Sequence, residues 1–135
     1  MRSVIHQSVV LAAGAEALFE MYLNPQAHGA ITGAAVTIGS EPGSAFSAFD
    51  GALSGQVLVV VRPRLIVQSW RSTKFKDDDP DSTLILSFTG EGEQGRIDLV
   101  HIDVPEHDYQ DVVEGWQNYY WTPWRAYLEA DGHSG

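Results

Sequence analysis

One carboxy-terminal segment constrains this chain more than any other. Advancing about 100° per residue from Trp116 brings Tyr109, Val112, Trp116, Tyr119, Tyr120, Pro123 and Tyr127 within about 60° of a single line. A helix over residues 109–130 with that aromatic stripe would be about 33 Å long, enough to cross the concave face of a sheet. Pro123 lies inside it and removes the bond to the Tyr119 carbonyl, so a kink is expected there, or a break just before it. Trp121, Trp124 and Leu128 fall on a second flank, displaced by roughly 80–140° on the same wheel. A single contact with a core leaves that flank unexplained.

Upstream, the period changes twice. Residues 3–11 are rich in Val and Ile and read as a strand, ending at Ala12, Ala13 and Gly14. Leu18, Phe19, Tyr22 and Leu23 then recur three or four apart, as on one face of a helix over 15–23. Asn24 followed by Pro25 starts a second helix, an N-cap and a first-turn proline whose missing N–H costs nothing there. From there to residue 103 short β-rich runs alternate with Gly, Pro and Asp. Strands are expected near 35–38, 45–49, 53–62, 65–72, 83–89 and 96–103. Connections as short as Arg62-Pro63-Arg64 and Gly90–Gly95 make successive strands antiparallel neighbours. No repeat or low-complexity linker divides the chain, so residues 1–135 are expected to form one domain.

Charge and composition exclude several functions. With 8 Lys+Arg against 18 Asp+Glu, the formal charge of −10 argues against nucleic acid and anionic membranes as default partners. The absence of cysteine rules out a disulfide framework, a thiol nucleophile and a zinc ribbon. At the amino end, His6, Gln7 and Ser8 interrupt what superficially resembles a signal peptide, and a strand explains the segment better. No window approaches the roughly 18 apolar residues of a membrane span. A soluble, cytoplasmic protein is the expectation.

Several literal motifs fail on chemistry. Gly90-Glu91-Gly92-Glu93-Gln94-Gly95 satisfies G-x-G-x-x-G, yet a strand follows it rather than a helix, and two glutamates would repel a phosphate. It reads as a hairpin turn. Asp77, Asp78, Asp79 and Asp81 concentrate oxygen ligands in one loop, but Ser82 and Phe88 stand where an EF-hand needs glycine and a bidentate glutamate. That reads as a solvated acidic loop. His6, His28, His101, His107 and His133 show no metal-ligand spacing, and no metal or cofactor motif is present. Asp108, Asp111 and Glu114 begin the long helix, where carboxylates complement its dipole. No nucleophile elbow or ordered triad is readable.

Taken in order, Ile31-Thr32-Gly33-Ala34, Gly43-Ser44-Ala45-Phe46-Ser47, Phe49-Asp50-Gly51, Leu53-Ser54-Gly55, Pro63-Arg64-Leu65-Ile66-Val67, Ser69-Trp70-Arg71 and Gly115-Trp116 with Tyr119-Tyr120-Trp121 resemble the family of activators of heat-shock chaperone ATPase. This family belongs to the START-like superfamily. The resemblance implies an α+β helix-grip fold, in which a curved antiparallel sheet wraps a long carboxy-terminal helix and two short helices close one end. Two departures bear on activity. The first strand begins without the chaperone-binding domain that precedes it in the eukaryotic activators. Their Trp-Pro-Glu-Gly-type segment is replaced here by residues 74–81. The fold is therefore carried over, and co-chaperone activity is not.

Three functions compete. The first is a binding module for an apolar or aromatic small molecule held between sheet and helix, lined by Trp70, Phe88, His101, Trp116, Tyr120 and Tyr127. Alternation along residues 96–103 puts Ile97, Leu99 and His101 on one inward face, making His101 the polar group best placed inside. The rings either pack to native density or leave a lined void, and helix-grip relatives commonly enclose one. The second is a protein-interaction domain, chaperone-associated or homodimeric, using the Trp121, Trp124 and Leu128 flank or the acidic loop. The third is an enzyme with His101 as acid or base, for which spacing supplies no second group.

Overall fold

The computed structural model describes residues 2–130, so His133 lies outside it. Strand β1 (Arg2–Leu11) leads into helices α1 (Ala15–Leu23) and α2 (Pro25–Thr32). Six strands follow: β2 (Val36–Thr37), β3 (Ala45–Ala48), β4 (Leu53–Val61), β5 (Leu65–Ser72), β6 (Ser82–Glu91) and β7 (Gln94–Pro105). They form one seven-stranded antiparallel sheet in the order β1-β7-β6-β5-β4-β3-β2. Beyond β7 a 3-10 turn (Glu106–Asp108) opens a helical segment made of α3 (Tyr109–Trp116), a π turn (Gln117–Trp121) and α4 (Thr122–Ala130). This is the helix-grip arrangement. Among the described residues, no helix is long and apolar enough to cross a membrane.

Local chemistry accounts for the elements. The Asn24 side chain accepts from the N–H groups of Gln26 and Ala27 at 2.9 and 3.1 Å, and Pro25 occupies the first turn of α2. Gly33, at φ 81°, supplies the left-handed residue that ends it. Along β5, β6 and β7 buried and half-exposed residues alternate, so Ile66, Gln68 and Trp70, then Leu84, Leu86 and Phe88, then Ile97, Leu99 and His101 form the concave inner face. Glu91 pairs with Gln94, so the glycine-rich string is a two-residue hairpin running from strand to strand. The acidic loop folds around a cation of its own chain. The Arg71 guanidinium donates to the carbonyls of Lys76 and Asp79 at 2.8 and 2.7 Å and to Asp81 at 3.1 Å.

The last helix corrects one expectation and explains another. Tyr119 is 59% exposed and Tyr127 only half-buried, whereas Trp121, Trp124 and Leu128 are in the core. A single straight wheel therefore fails. Just before Pro123, the Thr122 N–H bonds five residues back to the Gln117 carbonyl, where a regular helix would bond four back. Such a turn inserts one residue, about 100° of phase. Past it, the second flank rotates onto the line that Val112 and Trp116 occupy before it. The expected homodimer surface of Trp121, Trp124 and Leu128 is thus spent inside the monomer. Gln7 of β1 locks the rotation, accepting from Trp121 Nε1 at 2.8 Å and donating to the Val113 carbonyl at 3.2 Å.

Candidate functional site

A cavity of about 320 Å³ lies between the β3–β4 turn, the end of β5 and α3. Trp70, Val112, Trp116 and Tyr120 form its buried wall, Phe49, Leu53 and Tyr119 its apolar rim, and Lys74, Asp108 and Asp111 its polar side. It opens to solvent past Tyr119, Lys74 and Asp111, all exposed.

The rim depends on a tight turn. The Ala52 N–H bonds the Phe49 carbonyl at 3.0 Å across Asp50 (φ 55°) and Gly51 (φ 87°), the pair of positive φ angles that a type I′ turn requires. Phe49 itself sits at φ 53°, uncommon for a bulky residue, and this turns its ring over Tyr119 with centroids 5.6 Å apart. On α3, Gly115 faces the cavity, and a Cβ there would meet only the Tyr119 ring, at 3.6 Å.

Two buried relays hold the wall. Ser82 donates its one hydroxyl proton to the Trp70 carbonyl at 2.6 Å, so His101 Nε2, 2.8 Å away, must donate to Ser82 Oγ. His101 Nδ1 is then the acceptor for Trp116 Nε1–H at 3.2 Å. This neutral tautomer ties β6, β7 and α3 together, and burial pushes His101 down to about 3. In the second relay Tyr120 donates to His28 Nε2 at 2.8 Å, and His28 Nδ1 donates to the Tyr22 carbonyl at 2.9 Å. The Tyr22 hydroxyl bonds Gln68. Burial lowers His28 to about 4, partly offset by its bond to the Tyr22 carbonyl, and raises the phenols of Tyr22 and Tyr120. Trp70 Nε1–H is buried without an acceptor among the described residues.

The polar side is unbalanced. Asp108 is 3% exposed and stands at the N-cap of α3 without making a capping bond. Burial raises its pKa, Lys74 opposes that shift, and Asp111 adds to it. The Lys74 ammonium itself lies 3.3 Å from Asp111.

Of the six residues expected to line a cavity, Trp70, Trp116 and Tyr120 do so. His101 lies behind two of them, its ring centroid 4.7 Å from that of Trp70 and 5.8 Å from that of Trp116. Phe88 packs edge-on against Phe19 beneath α1, at 5.5 Å. Tyr127 lies on α4, beyond the π turn and outside the lining. Sequence reasoning gave Asp108 and Asp111 to the helix dipole and left Phe49 and Lys74 unassigned. A usable signal was Gly115, a glycine inside an otherwise aromatic helix and next to its inward line. Among the described residues no three His, Asp or Glu side chains group as a metal site.

Residues 12–129 match the sequence profile described as Activator of Hsp90 ATPase homolog 1-like protein. A human protein, activator of 90 kDa heat shock protein ATPase homolog 1, is 25% identical over 105 residues, covering 78% of this chain and 31% of that protein. The chain thus spans about a third of that relative's length. Among solved structures, the HSP90 activator PFC0360w from Plasmodium falciparum superimposes with a TM-score of 0.84 at 18% identity, covering 93% of this chain and 96% of that one. Protein MLL2253 from Mesorhizobium loti gives a TM-score of 0.82 at 13% identity, with 95% and 98% covered. At those identities the likeness is one of fold.

Proposed function

We propose, from the premise that this chain belongs to the family of Activator of Hsp90 ATPase homolog 1-like proteins, that it binds an apolar or ring-bearing small molecule in the cavity between β5 and α3. The observation that carries this reading is the cavity itself, at the small end of the usual range for ligand sites, ring-walled and with a few polar groups on one side. Trp70, Trp116 and Tyr120 form its wall, while His101 positions the two tryptophans from behind. The fully bonded, neutral His101 favours binding over acid–base turnover. N-phenyl-1-naphthylamine, which brightens in apolar surroundings, tests it. Its fluorescence should rise with the protein and stay flat with Gly115→Leu, whose side chain would occupy the cavity. An equal rise with both proteins would refute the reading.

Chaperone association is the second reading, supported by the family description and by the human relative. Leu58, Val59 and Val61 of β4, each exposed, offer an apolar row outside the cavity for such a contact. Added to a 90 kDa heat-shock chaperone, the chain should raise ATP turnover; unchanged turnover would count against this role.

A further inference from the structure

Resting on the cavity reading above, we propose that the guest is a neutral, ring-bearing molecule with an oxygen acceptor, such as an aryl ketone or ester, and that the Ser72 hydroxyl donates to that oxygen. The inference follows from where the protons of the polar lining go. Trp116 Nε1–H is spent on His101 Nδ1, and the Tyr120 hydroxyl on His28 Nε2. Lys74 is bonded to Asp111 at 3.3 Å, and Lys74 and His107 both act electrostatically on Asp108. Thr73 and Tyr119 are exposed, so water serves them. Ser72 differs. It ends β5 on the same inner face as Trp70, is only 8% exposed, and lines the cavity. Its Oγ accepts from the Lys74 N–H at 3.1 Å, and its own proton has no acceptor among the described residues. A hydroxyl carries one proton beside its lone pairs, so the Lys74 N–H anchors the oxygen and leaves the proton free to turn toward a guest.

The surroundings of Ser72 point the same way. Two residues earlier on that face, Trp70 Nε1–H is also buried without an acceptor among the described residues. This corner of the wall is thus short of acceptors, and a buried donor left unpaired costs free energy. Charge then decides which kind of acceptor fits. Asp108 and Asp111 line the cavity against the ammonium of Lys74, in a chain of formal charge −10. That field disfavours a carboxylate or phosphate oxygen and leaves a neutral one. The rings of Trp70, Trp116 and Tyr120 supply the surface on which the apolar body of such a molecule packs.

Displacement of N-phenyl-1-naphthylamine from the 135-residue chain measures three affinities: for 1-tetralone, for tetralin, which lacks the oxygen, and for the anion 1-naphthoate. Ser72→Ala should lower the ratio of tetralone to tetralin affinity about fivefold, the worth of one neutral hydrogen bond. Ser72→Thr, which keeps a hydroxyl, should restore the ratio. Losing the bond from the Lys74 N–H would weaken both compounds alike, so a purely structural role for Ser72 leaves the ratio untouched. The carbonyl stretch of bound tetralone should also lie at lower wavenumber in the wild type than in Ser72→Ala, and naphthoate should bind more weakly than tetralone. A ratio unchanged by Ser72→Ala, or tighter binding of naphthoate than of tetralone, overturns the assignment while the cavity reading stands. So does a bound N-phenyl-1-naphthylamine that neither tetralone nor tetralin displaces. If N-phenyl-1-naphthylamine does not bind the wild type, the cavity reading itself falls, and this inference with it.

Discussion

Protonating His101 would set a new Nδ1–H against the Nε1–H of Trp116, and protonating His28 would force the Tyr120 hydroxyl to turn from donor to acceptor. Both rings are therefore held neutral by geometry as well as by burial. Their folded-state values, about 3 and about 4, lie below the ordinary 6.5 that the unfolded chain retains. Between those limits the unfolded chain binds the protons, so stability is complete above about pH 6.5 and falls as the pH drops, by about 1.4 kcal/mol per unit for each histidine. Asp108, raised by burial, acts in the opposite sense over the carboxylate range. Urea unfolding should show a loss of about 3–4 kcal/mol from pH 7 to pH 5. His101→Gln, which keeps a donor and an acceptor, should remove about half of that pH dependence whatever it does to stability at pH 7. A wild-type stability that does not change over this range would contradict the neutral assignment.

At the level of elements, the π turn reconciles a helix with two apolar faces to a sheet with one. Two causes are separable: the phase of the buried residues and the proline. Removing Asn118, which is exposed, would place Trp116, Tyr120, Trp121, Trp124 and Leu128 at i, i+3, i+4, i+7 and i+11, the spacing of a regular amphipathic helix. Pro123 would then sit inside that regular helix, at a cost of about 3 kcal/mol. Deletion of Asn118 together with Pro123→Ala should therefore melt close to the wild type, and deletion alone well below it. Pro123→Ala by itself should leave the tryptophan emission maximum unchanged, because burial of Trp121 and Trp124 demands the extra residue with or without proline. This also marks the limit of reading the sequence. The strands, the Asn24 cap and the break before Pro123 are local and were legible, but a wheel of fixed period cannot register an inserted residue. For the same reason Trp121, Trp124 and Leu128 read as a spare surface.

Across the whole molecule, the two ends of the grip differ in how tightly they close. Under α1 the packing is complete: a Cβ at Gly95 would come within 2.6 Å of both the Ala13 carbonyl and the Leu18 side chain. At the α3 end Gly115 is packed more loosely, since a Cβ there would meet only the Tyr119 ring, at an ordinary contact distance of 3.6 Å, and this glycine lines the cavity. Alternation along β5 showed that Trp70 points inward, and the helical period before the π turn did the same for Trp116. Whether inward residues meet or leave a gap depends on the sum of their volumes across β4, β5 and α3, which no local pattern contains. A glycine in mid-helix costs about 0.5–1 kcal/mol relative to alanine, and an unfilled void beside it forfeits further contacts. Selection for stability alone would fill this position. Gly115→Ala should raise stability by about 0.5–1 kcal/mol, and Gly115→Leu should raise the melting temperature further by filling the void, while affinity for N-phenyl-1-naphthylamine falls in the same order. Opposite trends of stability and binding along Gly, Ala and Leu are what a cavity kept open for a guest requires. If Gly115→Leu is instead less stable than the wild type, with probe binding intact, the space in front of α3 is not where the guest resides.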